Sequence, residues 1–242
     1  MRISLVIPAY NEEAYLGGCL DSVIASGGRF HEIIVIDNAS TDRTAEVAAA
    51  RPGVRVVHEP KKGLLAARQR GFEEAGGDAV AYVDADTRMP KGWYERANEV
   101  LSSRPDVVGL SGPARYWDAN RWQRTFLAVV WRVSAPLAYR IVGYMIYGAG
   151  FVVRRSALAA IGGFNHAIEF YGEDTDLAQR LSRQGEVVFD MRFYILSSAR
   201  RFASEGMLRT NLVYVLNFVW PVLFGRPFTR RHKDVRADTS VP

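Results

Sequence analysis

Short runs of consecutive apolar residues alternate with helix-like stretches through the first half of the chain. The runs occupy residues 3–7, 33–36, 54–57 and 79–83. Uninterrupted apolar runs of this length are typical of strands buried on both faces, as in parallel sheets. The segments between them have helical patterns, at residues 12–25, 42–50 and 64–75. The alternation predicts right-handed βαβ units with about four parallel strands, and therefore an α/β fold.

The second half of the chain is patterned less regularly. Residues 117–153 are rich in aromatic side chains with isolated arginines, which predicts a partly helical, amphipathic stretch. A polar cluster at 170–176 opens a helix predicted to run to about residue 184, and an apolar helix is predicted over 207–224, ahead of a basic tail. We therefore predict a catalytic domain over residues 1–204 and a separate C-terminal segment over residues 205–242.

The composition fits one large domain and indicates which partners and which cellular compartment to expect. Of the 242 residues, 48% are hydrophobic, and the formal net charge of +5 favours anionic partners, either phosphates or acidic lipid surfaces. Cys19 is the only cysteine, so no internal disulfide can form. The longest apolar stretches, 141–153 and 212–224, fall short of the roughly 20 residues that span a bilayer. We expect a cytoplasmic protein without a secretory signal or a nucleic-acid partner.

The polar segments that follow the predicted strands are the expected ligand-binding region. They are residues 8–11, 37–41, 58–63 and 84–87. In open α/β sheets, ligands bind beyond the carboxyl ends of the strands. Side chains in these four segments are therefore the first candidates for a binding site.

Asp84 and Asp86 are the candidate metal ligands. They follow the fourth predicted strand, and residues two apart on an extended chain project to the same side. Carboxylates so close repel each other, which indicates either a cation between them or a separate partner for each. A hard divalent ion such as Mg²⁺ or Mn²⁺ suits these oxygen ligands. On the motif alone, a solvated turn explains the tripeptide equally well.

Asp37 is a candidate for contact with a nucleotide. It stands at a strand end, where a carboxylate can accept hydrogen bonds from a base or a ribose. The residues after it are explained by capping of the next helix, for which Ser40 or Thr41 is the predicted N-cap.

Positive charge near the start of the next helix indicates a phosphate site. Lys61, Lys62 and Arg68 are placed around that helix amino terminus. A solvated basic loop accounts better for the two lysines, whereas Arg68 belongs to the helix face predicted to point inward.

Two later motifs add candidates for catalysis. Glu173 and Asp174 open a predicted helix, where acidic residues complement the helix dipole, but Asp174 also leads a buried apolar stripe and is placed like a general base. Arg200 and Arg201 could bind a diphosphate and balance the charge of a departing nucleotide, with a solvated surface as the alternative. The four histidines have no spacing typical of zinc sites.

In their order along the chain, these motifs resemble glycosyltransferase family 2, a family of inverting enzymes with the GT-A fold. The likeness extends over about the first 200 residues, with matching stretches at 6–13, 33–44, 63–71, 84–86, 148–150, 162–164 and 173–176. Each motif alone is weak, whereas the ordered set is specific. The resemblance implies a Rossmann-like βαβ half that binds a nucleotide, a mixed central sheet and flanking helices.

The resemblance also implies a role for each matching residue. The aspartate matching Asp174 is the usual catalytic base, which deprotonates an acceptor hydroxyl as it attacks the anomeric carbon from the face opposite the nucleotide. Asp86 would ligate the Mg²⁺ or Mn²⁺ ion that holds the diphosphate. The residues implied to bind the nucleotide sugar are Pro8, Ala9, Tyr10, Glu12, Asp37, Arg68, Asp84, Ala85, Glu173, Arg200 and Arg201.

The implied activity is transfer of one sugar from a nucleotide-diphosphate sugar to a hydroxyl of a glycan, a lipid-linked acceptor or a small molecule. The Gln-x-x-Arg-Trp motif of processive synthases is missing, which favours one sugar per encounter. Asn38 departs from the commonest pattern, in which a second acid is frequent, and this leaves the choice of donor open. Two alternatives are a catalytically silent nucleotide-sugar-binding module and a nucleotidyltransferase.

The C-terminal segment is a candidate for membrane contact. An apolar helix over 207–224 followed by Arg226, Arg230, Arg231 and Lys233 suits an anionic membrane surface. Packing of that helix onto the catalytic domain explains the pattern nearly as well. Our hypothesis is peripheral attachment at the inner face of the cell membrane.

Overall fold

The computed structural model describes residues 1–168 and 172–206, together with residues 210, 213 and 220. The first half alternates strand and helix as the apolar runs predict. Its elements are β1 (Ile3–Ala9), α1 (Glu13–Ala25), β2 (Glu32–Asp37), α2 (Thr44–Ala49), β3 (Val54–His58), α3 (Leu64–Glu74) and β4 (Ala79–Val83).

The second half contains the longest helix and the strands that complete the sheet. Its elements are α4 (Trp93–Ser103), β5 (Val107–Ser111), β6 (Ala114–Tyr116), α5 (Arg121–Val142), β7 (Gly150–Arg154), α6 (Arg155–Ala160), α7 (Glu173–Leu181), β8 (Glu186–Phe189), β9 (Ile195–Ser197) and α8 (Arg200–Glu205).

Seven strands form one mixed sheet in the order β3-β2-β1-β4-β7-β5-β8. The four strands of the first half are parallel to one another, which confirms the βαβ prediction. Strand β7 runs antiparallel to both of its neighbours, whereas β5 and β8 are parallel. Strands β6 and β9 pair separately as a parallel two-stranded sheet. The predicted mixed α/β fold is therefore confirmed.

Helices cover both faces of the central sheet because alternate strand residues point to opposite sides. Leu5 and Ile7 of β1 belong to the core on the α1 and α4 side, while Val6 belongs to the core on the α3 and α7 side. Helix α3 lies especially close to β1, since a Cβ at Gly71 would come 2.2 Å from a Val6 methyl carbon. This close packing seats α3 directly against β1.

One local prediction was wrong. Helix α2 begins at Thr44 with Arg43 at the N-cap position, so neither Ser40 nor Thr41 is its N-cap, and the Thr44 amide donates instead to Asp42 Oδ1 at 2.9 Å. The apolar stretch 141–153 contains the end of α5, a connecting loop and β7.

Helix α5 is the one element of the described residues that is long and apolar enough to cross a membrane. This judgement rests on its length and composition alone. Helix α5 lies within residues 117–153, which were predicted to be partly helical and amphipathic. Its length as one apolar helix was not predicted, because four arginines interrupt its apolar runs. The apolar helix predicted over 207–224 and the basic tail lie outside the described residues, except for residues 210, 213 and 220. The division into residues 1–204 and 205–242 therefore stays a prediction.

Candidate active site

The predicted site residues converge at the carboxyl edge of the parallel strands. Register pairing sets Ala9 of β1 beside Asp37 of β2, and Asp37 beside His58 of β3. The turn after β4 adds Asp84 and Asp86, and the start of α7 adds two more acids. Four of these carboxylates, together with Glu12 and two arginines, form two groups, which we call the Arg68 cluster and the Arg200 cluster. The first contains Arg68, Asp84, Glu173 and Asp174, and the second contains Arg200, Glu12 and Asp86.

Arg68 is a buried cation that faces three carboxylates. Only 1% of the residue is exposed, and its Nη2 donates to the Gly148 carbonyl at 2.9 Å. Its Nη1 donates to Asp174 Oδ1 at 3.3 Å, and the guanidinium lies within 4.0 Å of carboxylate oxygens of Asp84 and Glu173. One positive charge therefore joins the turn after β4 to the first turn of α7. In the described residues, the Arg68 Nε has no hydrogen-bond partner.

Asp174 is held in place from two sides. The amide of Gly148 donates to its Oδ2 at 2.8 Å, while Arg68 donates to its Oδ1. A side chain at position 148 would prevent this approach, because a Cβ there would lie 2.5 Å from Oδ1 and 2.6 Å from Oδ2. The stripe behind the aspartate is buried as predicted, with Leu177 and Leu181 in the core. The carboxylate is thus oriented by groups from outside its own helix.

Crowding of acids around Arg68 shifts their protonation. Burial raises the pKa of Asp174, and Arg68 and the Gly148 amide oppose this effect. Burial and the neighbouring Asp174 raise the pKa of Glu173 well above its ordinary value. Burial raises the pKa of Asp84 to about 6, against the opposing effect of Arg68. Solvent moderates this last shift, since 37% of the Asp84 side chain is exposed.

The Arg200 cluster connects the start of α8 to the N-cap of α1 and to the turn after β4. Both terminal nitrogens of Arg200 donate to the Glu12 carboxylate, which is 4% exposed, and its Nε lies 2.8 Å from Asp86 Oδ2. The guanidinium also lies 4.8 Å from the ring centre of Tyr15. Burial lowers the pKa of Arg200, but the paired carboxylates of Asp86 and Glu12 outweigh this effect and raise the pKa above its ordinary value, so Arg200 stays charged. Arg201 follows it in α8 and is half-buried.

Asp118 fixes the segment that carries Arg200. Its carboxylate accepts hydrogen bonds from the Ser198 hydroxyl and the Ala199 amide, both at 2.6 Å. Neither Asp118 nor Tyr15 was identified from the sequence. No local pattern marks them, because their partners lie 80 residues or more away along the chain.

The geometry of residues 84–86 corrects one expectation. Strand β4 ends at Val83, and the Thr87 amide donates to the Asp84 carbonyl at 3.1 Å, which closes a turn. The two aspartates therefore do not share one side of an extended strand. Each has its own arginine, which is the alternative of separate partners that the sequence left open. Ala85 is buried between them.

The nucleotide-side candidates form a separate part of the same edge. Asp37 is 6% exposed and lies 3.2 Å from His58 Nδ1. Lys62 stacks 3.9 Å from the ring centre of Tyr10 and donates to its hydroxyl, so this lysine is not simply a solvated loop residue. Pro8 and Ala9 are buried within β1.

Asn38 has a structural reason to be an amide. Its nitrogen donates to the carbonyls of Glu59 and Lys61, while its oxygen accepts from the Gly63 amide at 2.8 Å. A carboxylate could not donate the first two hydrogen bonds. Asn38 therefore shapes the loop before α3 instead of repeating the acid that is frequent in the family pattern.

A divalent ion coordinated by both the protein and the substrate fits this site. Among the residues that the model describes, no group of three or more His, Cys, Asp or Glu side chains could hold an ion. Mg²⁺ in nucleotide sites is commonly held by only one or two carboxylates together with phosphates. Asp84 and Asp86 supply two carboxylates on one turn. The donor set therefore suits an ion that arrives with a diphosphate.

The mixed sheet and the acidic edge define a class, the glycosyltransferases of the GT-A fold. The chain belongs to glycosyl transferase family 2, whose family model matches residues 4–162. This confirms the family and the fold that the sequence motifs predicted.

Two curated proteins that share one name are similar to the chain in sequence. An undecaprenyl-phosphate 4-deoxy-4-formamido-L-arabinose transferase from Edwardsiella ictaluri is 36% identical over 143 residues, which is 54% of this chain and 44% of that protein. The transferase of the same name from Pseudomonas aeruginosa is 35% identical over 154 residues, or 60% of this chain and 45% of that protein. The chain thus spans less than half the length of these curated relatives.

Solved structures share the fold at low sequence identity. A mannosyltransferase from Pyrobaculum calidifontis in complex with GDP-Man and Mn²⁺ gives a TM-score of 0.71 at 20% identity, covering 93% of this chain and 65% of that one. Glucosyl-3-phosphoglycerate synthase from Mycobacterium tuberculosis, in complex with Mn²⁺, UDP and phosphoglyceric acid, gives 0.60 at 21% identity, covering 92% and 77%.

Proposed function

We propose that this protein moves one sugar from a nucleotide-diphosphate sugar to an acceptor hydroxyl, with inversion at the anomeric carbon. The observation that carries the proposal is the Arg68 cluster. Arg68 joins Asp84, on the turn expected to face the donor, to Asp174, the expected base. A silent binding module or a nucleotidyltransferase has no need of a second, separately oriented carboxylate at this position.

Asp174 is proposed as the general base. Inversion by direct displacement needs one group that takes the proton of the acceptor hydroxyl as its oxygen attacks. Asp174 is held by Gly148 and Arg68, which leaves it little freedom to turn away. Its raised pKa makes it a stronger proton acceptor than an ordinary aspartate, while the Arg68 charge keeps the ionised form accessible.

The donor is proposed to lie along the edge formed by β1, β2 and β4. Asp37 is proposed to contact the nucleoside, with Tyr10, Pro8 and Ala9 lining that end. Asp86 is proposed to ligate Mg²⁺ or Mn²⁺, which would neutralise the diphosphate and favour departure of the nucleotide. Asp84, which pairs with Arg68, is proposed to contact the ribose or the surroundings of the ion. Both GT-A structures described above were solved with Mn²⁺.

Arg200 and Arg201 are proposed to bind the diphosphate. Arg200 now pairs with Glu12 and with Asp86, the proposed metal ligand. A diphosphate with its ion offers both partners a replacement, because the phosphate oxygens can take the guanidinium while the ion takes the carboxylate. Donor binding would therefore rearrange the Arg200 cluster and leave the Arg68 cluster intact.

The acceptor is proposed to be lipid-linked. This rests on the curated relatives, which are named for undecaprenyl phosphate as their substrate. A lipid-linked acceptor would place the enzyme at the cytoplasmic face of a membrane.

Donor and metal are identified together by a thermal-shift panel of nucleotide-diphosphate sugars with and without Mn²⁺. Ligand binding to the native state raises the melting temperature by mass action. We expect one nucleotide sugar to stabilise the protein, and to do so more strongly with Mn²⁺. No stabilisation by any nucleotide sugar would contradict the proposal.

The base is tested by Asp174→Asn, with Asp176→Asn on the same helix as the matched control. We expect Asp174→Asn to bind the donor and to lose transfer by about 10²–10⁴-fold, the usual contribution of a general base. Asp176 pairs with Arg180, away from Arg68, so its variant should transfer normally. Transfer at the normal rate by Asp174→Asn would require another base.

A further inference from the structure

Helix α5 exposes a continuous row of large apolar side chains. Trp122, Val129, Val133, Leu137 and Ile141 are 65%, 56%, 66%, 60% and 75% exposed. Successive members are seven, four, four and four residues apart, so they line one face of the helix. We call this row the α5 stripe. Exposed apolar groups of this size on a folded domain are typical of a contact surface.

The fold does not need the stripe. The opposite side of α5 packs inward through Leu127 and Ala135, which are 2% and 3% exposed. Asn120 begins the helix with a capping box formed with Gln123, and Gly143 ends it in the left-handed conformation at φ 80°. Both ends and the inner side are therefore defined by other contacts, which leaves the stripe without a structural role in the described fold.

The charged side chains of α5 are all positive. Helix α5 contains four arginines and no Asp or Glu. All four are exposed, and Arg124 also donates to backbone carbonyls at the helix start. On a helical projection, Arg140 lies within the stripe, and Arg121 and Arg132 lie along one side of it. Apolar side chains bordered by cations match the acyl and headgroup layers of an anionic bilayer.

The helix is placed to lie on a bilayer instead of crossing it. At 1.5 Å per residue its 22 residues are about 33 Å long, which is enough to span the hydrocarbon core. However, crossing would put Arg132 near the bilayer centre, at high cost, and would separate β6 from β7. These strands flank α5 within the described fold, and Leu127 and Ala135 pack against it.

We propose that the α5 stripe docks this protein on an anionic phospholipid surface, with α5 in the plane of the interface. The inference concerns α5, not the C-terminal segment, and it does not depend on sugar transfer. Only residues 143–147 separate α5 from Gly148, which holds Asp174. Docking through α5 therefore brings the candidate active site close to the lipid surface.

Two protein segments could cover the α5 stripe: the C-terminal residues 207–242 and a second copy of α5. Charge argues against both. Residues 207–242 contain six Lys and Arg, at 209, 226, 230, 231, 233 and 236, against two Asp, at 234 and 238. A second copy of α5 would likewise bring arginines against arginines. Like charges oppose contact with the residues after 224, which hold five of these six cations, and contact with a second copy, whereas an anionic lipid headgroup complements the arginines of α5.

Flotation of the full-length protein with vesicles tests the proposal. The vesicles are phosphatidylcholine alone, or phosphatidylcholine with phosphatidylglycerol, and no substrate is present. We expect binding only to the anionic vesicles and weakening by salt, because the arginines contribute through screened charge. Val133→Asp should lower the partition coefficient at least about tenfold.

Ala128→Asp is the matched control, because position 128 is also exposed on α5 but lies outside the stripe. It introduces the same charge, so it should reduce binding much less. Equal loss of vesicle binding in both variants would show that binding depends only on net charge, and this result would overturn the proposal. Both variants should melt as the parent does, since neither position is buried.

A second measurement assigns the contact to α5. Lipids brominated on their acyl chains should quench part of the tryptophan fluorescence, and Trp122→Phe should remove that part. A full-length variant with Arg230→Gln, Arg231→Gln and Lys233→Gln tests the C-terminal tail. If this variant stops floating while Val133→Asp still floats, the tail is the docking surface and the proposal fails. If Val133→Asp instead converts a dimer to a monomer without changing flotation, the stripe is a contact between copies.

Discussion

The two arginine clusters at the candidate active site use the same chemistry in different surroundings. The Arg68 side chain is 2% exposed and its partners come from the turn after β4 and from α7. The Arg200 side chain is 19% exposed and its partners come from residues on either side of the sheet edge, Glu12 and Asp86. The first cluster is part of the packed interior, while the second stands at its border.

This difference indicates which pairing can change during function. A buried arginine that loses its partners leaves uncompensated charges in the interior, so the pairing is permanent. A pairing at the border can exchange with ligand phosphates, because solvent and ligand reach it. We therefore expect the Arg68 cluster to hold Asp174 in position and the Arg200 cluster to rearrange when the donor binds. Four substitutions test this comparison, from the largest effect to the smallest.

Removal of the Arg68 charge should have the largest effect. Arg68→Met leaves Asp84, Glu173 and Asp174 facing one another, and we expect the free energy of unfolding to fall by about 3–5 kcal/mol. Arg70→Met is the matched control on the same helix, because the Arg70 side chain is 40% exposed and pairs with Glu74 on the helix surface. It should cost about 1 kcal/mol or less in urea denaturation. Equal costs would mean that Arg68 is not an interior ion pair.

A methyl group at position 148 should impair activity more than folding. Gly148→Ala places a Cβ against both oxygens of Asp174, and a carboxylate displaced by about 1 Å can lose about 10²-fold in transfer rate. Gly109→Ala is the control, since a Cβ there meets only ordinary contacts at 3.5 Å. Initial rates at saturating donor measure the effect. Unchanged transfer by Gly148→Ala would show that the orientation of Asp174 is not critical.

Loss of Arg200 should release Asp86 for a cation. In the absence of nucleotide, Arg200→Gln is expected to tighten Mn²⁺ binding by up to about tenfold, because the guanidinium no longer competes for the carboxylate. Titration followed by electron paramagnetic resonance gives the affinity. Arg192→Gln, at an exposed arginine that pairs with Asp190, should leave it unchanged. Weaker Mn²⁺ binding by Arg200→Gln would contradict the competition.

The smallest effect concerns the pH dependence of stability. Asp84 has a folded-state pKa of about 6, above its ordinary 3.8, so the folded protein holds this proton more tightly than the unfolded chain. The stabilising contribution of Asp84 to the free energy of unfolding is present below pH 4 and is lost as the pH rises to 6. In Asp84→Asn, the decrease in the free energy of unfolding between pH 4 and pH 6 should be smaller by about 1 kcal/mol, a value reduced because the side chain is partly exposed. Urea denaturation from pH 4 to pH 6 measures it, and an unchanged slope would contradict the shift.

Much of the fold could be predicted because its signals are local. Continuous apolar runs marked β1, β2, β3 and β4, and the polar residues after them marked the edge where the candidate site lies. Asp37, Asp84 and Asp86 were identified from their position after these strands. The boundaries of α5 were missed, because arginines that flank a surface stripe resemble interruptions when only the sequence is read.

The sequence by itself determined which elements form and in which order, since helix and strand periods depend on residues a few positions apart. Only the tertiary structure decided which charges meet. Arg68 and Asp174 are 106 residues apart, and Arg200 and Glu12 are 188 apart. Their pairing depends on how α3, α7 and α8 pack around the sheet, and no periodicity along the chain specifies that packing.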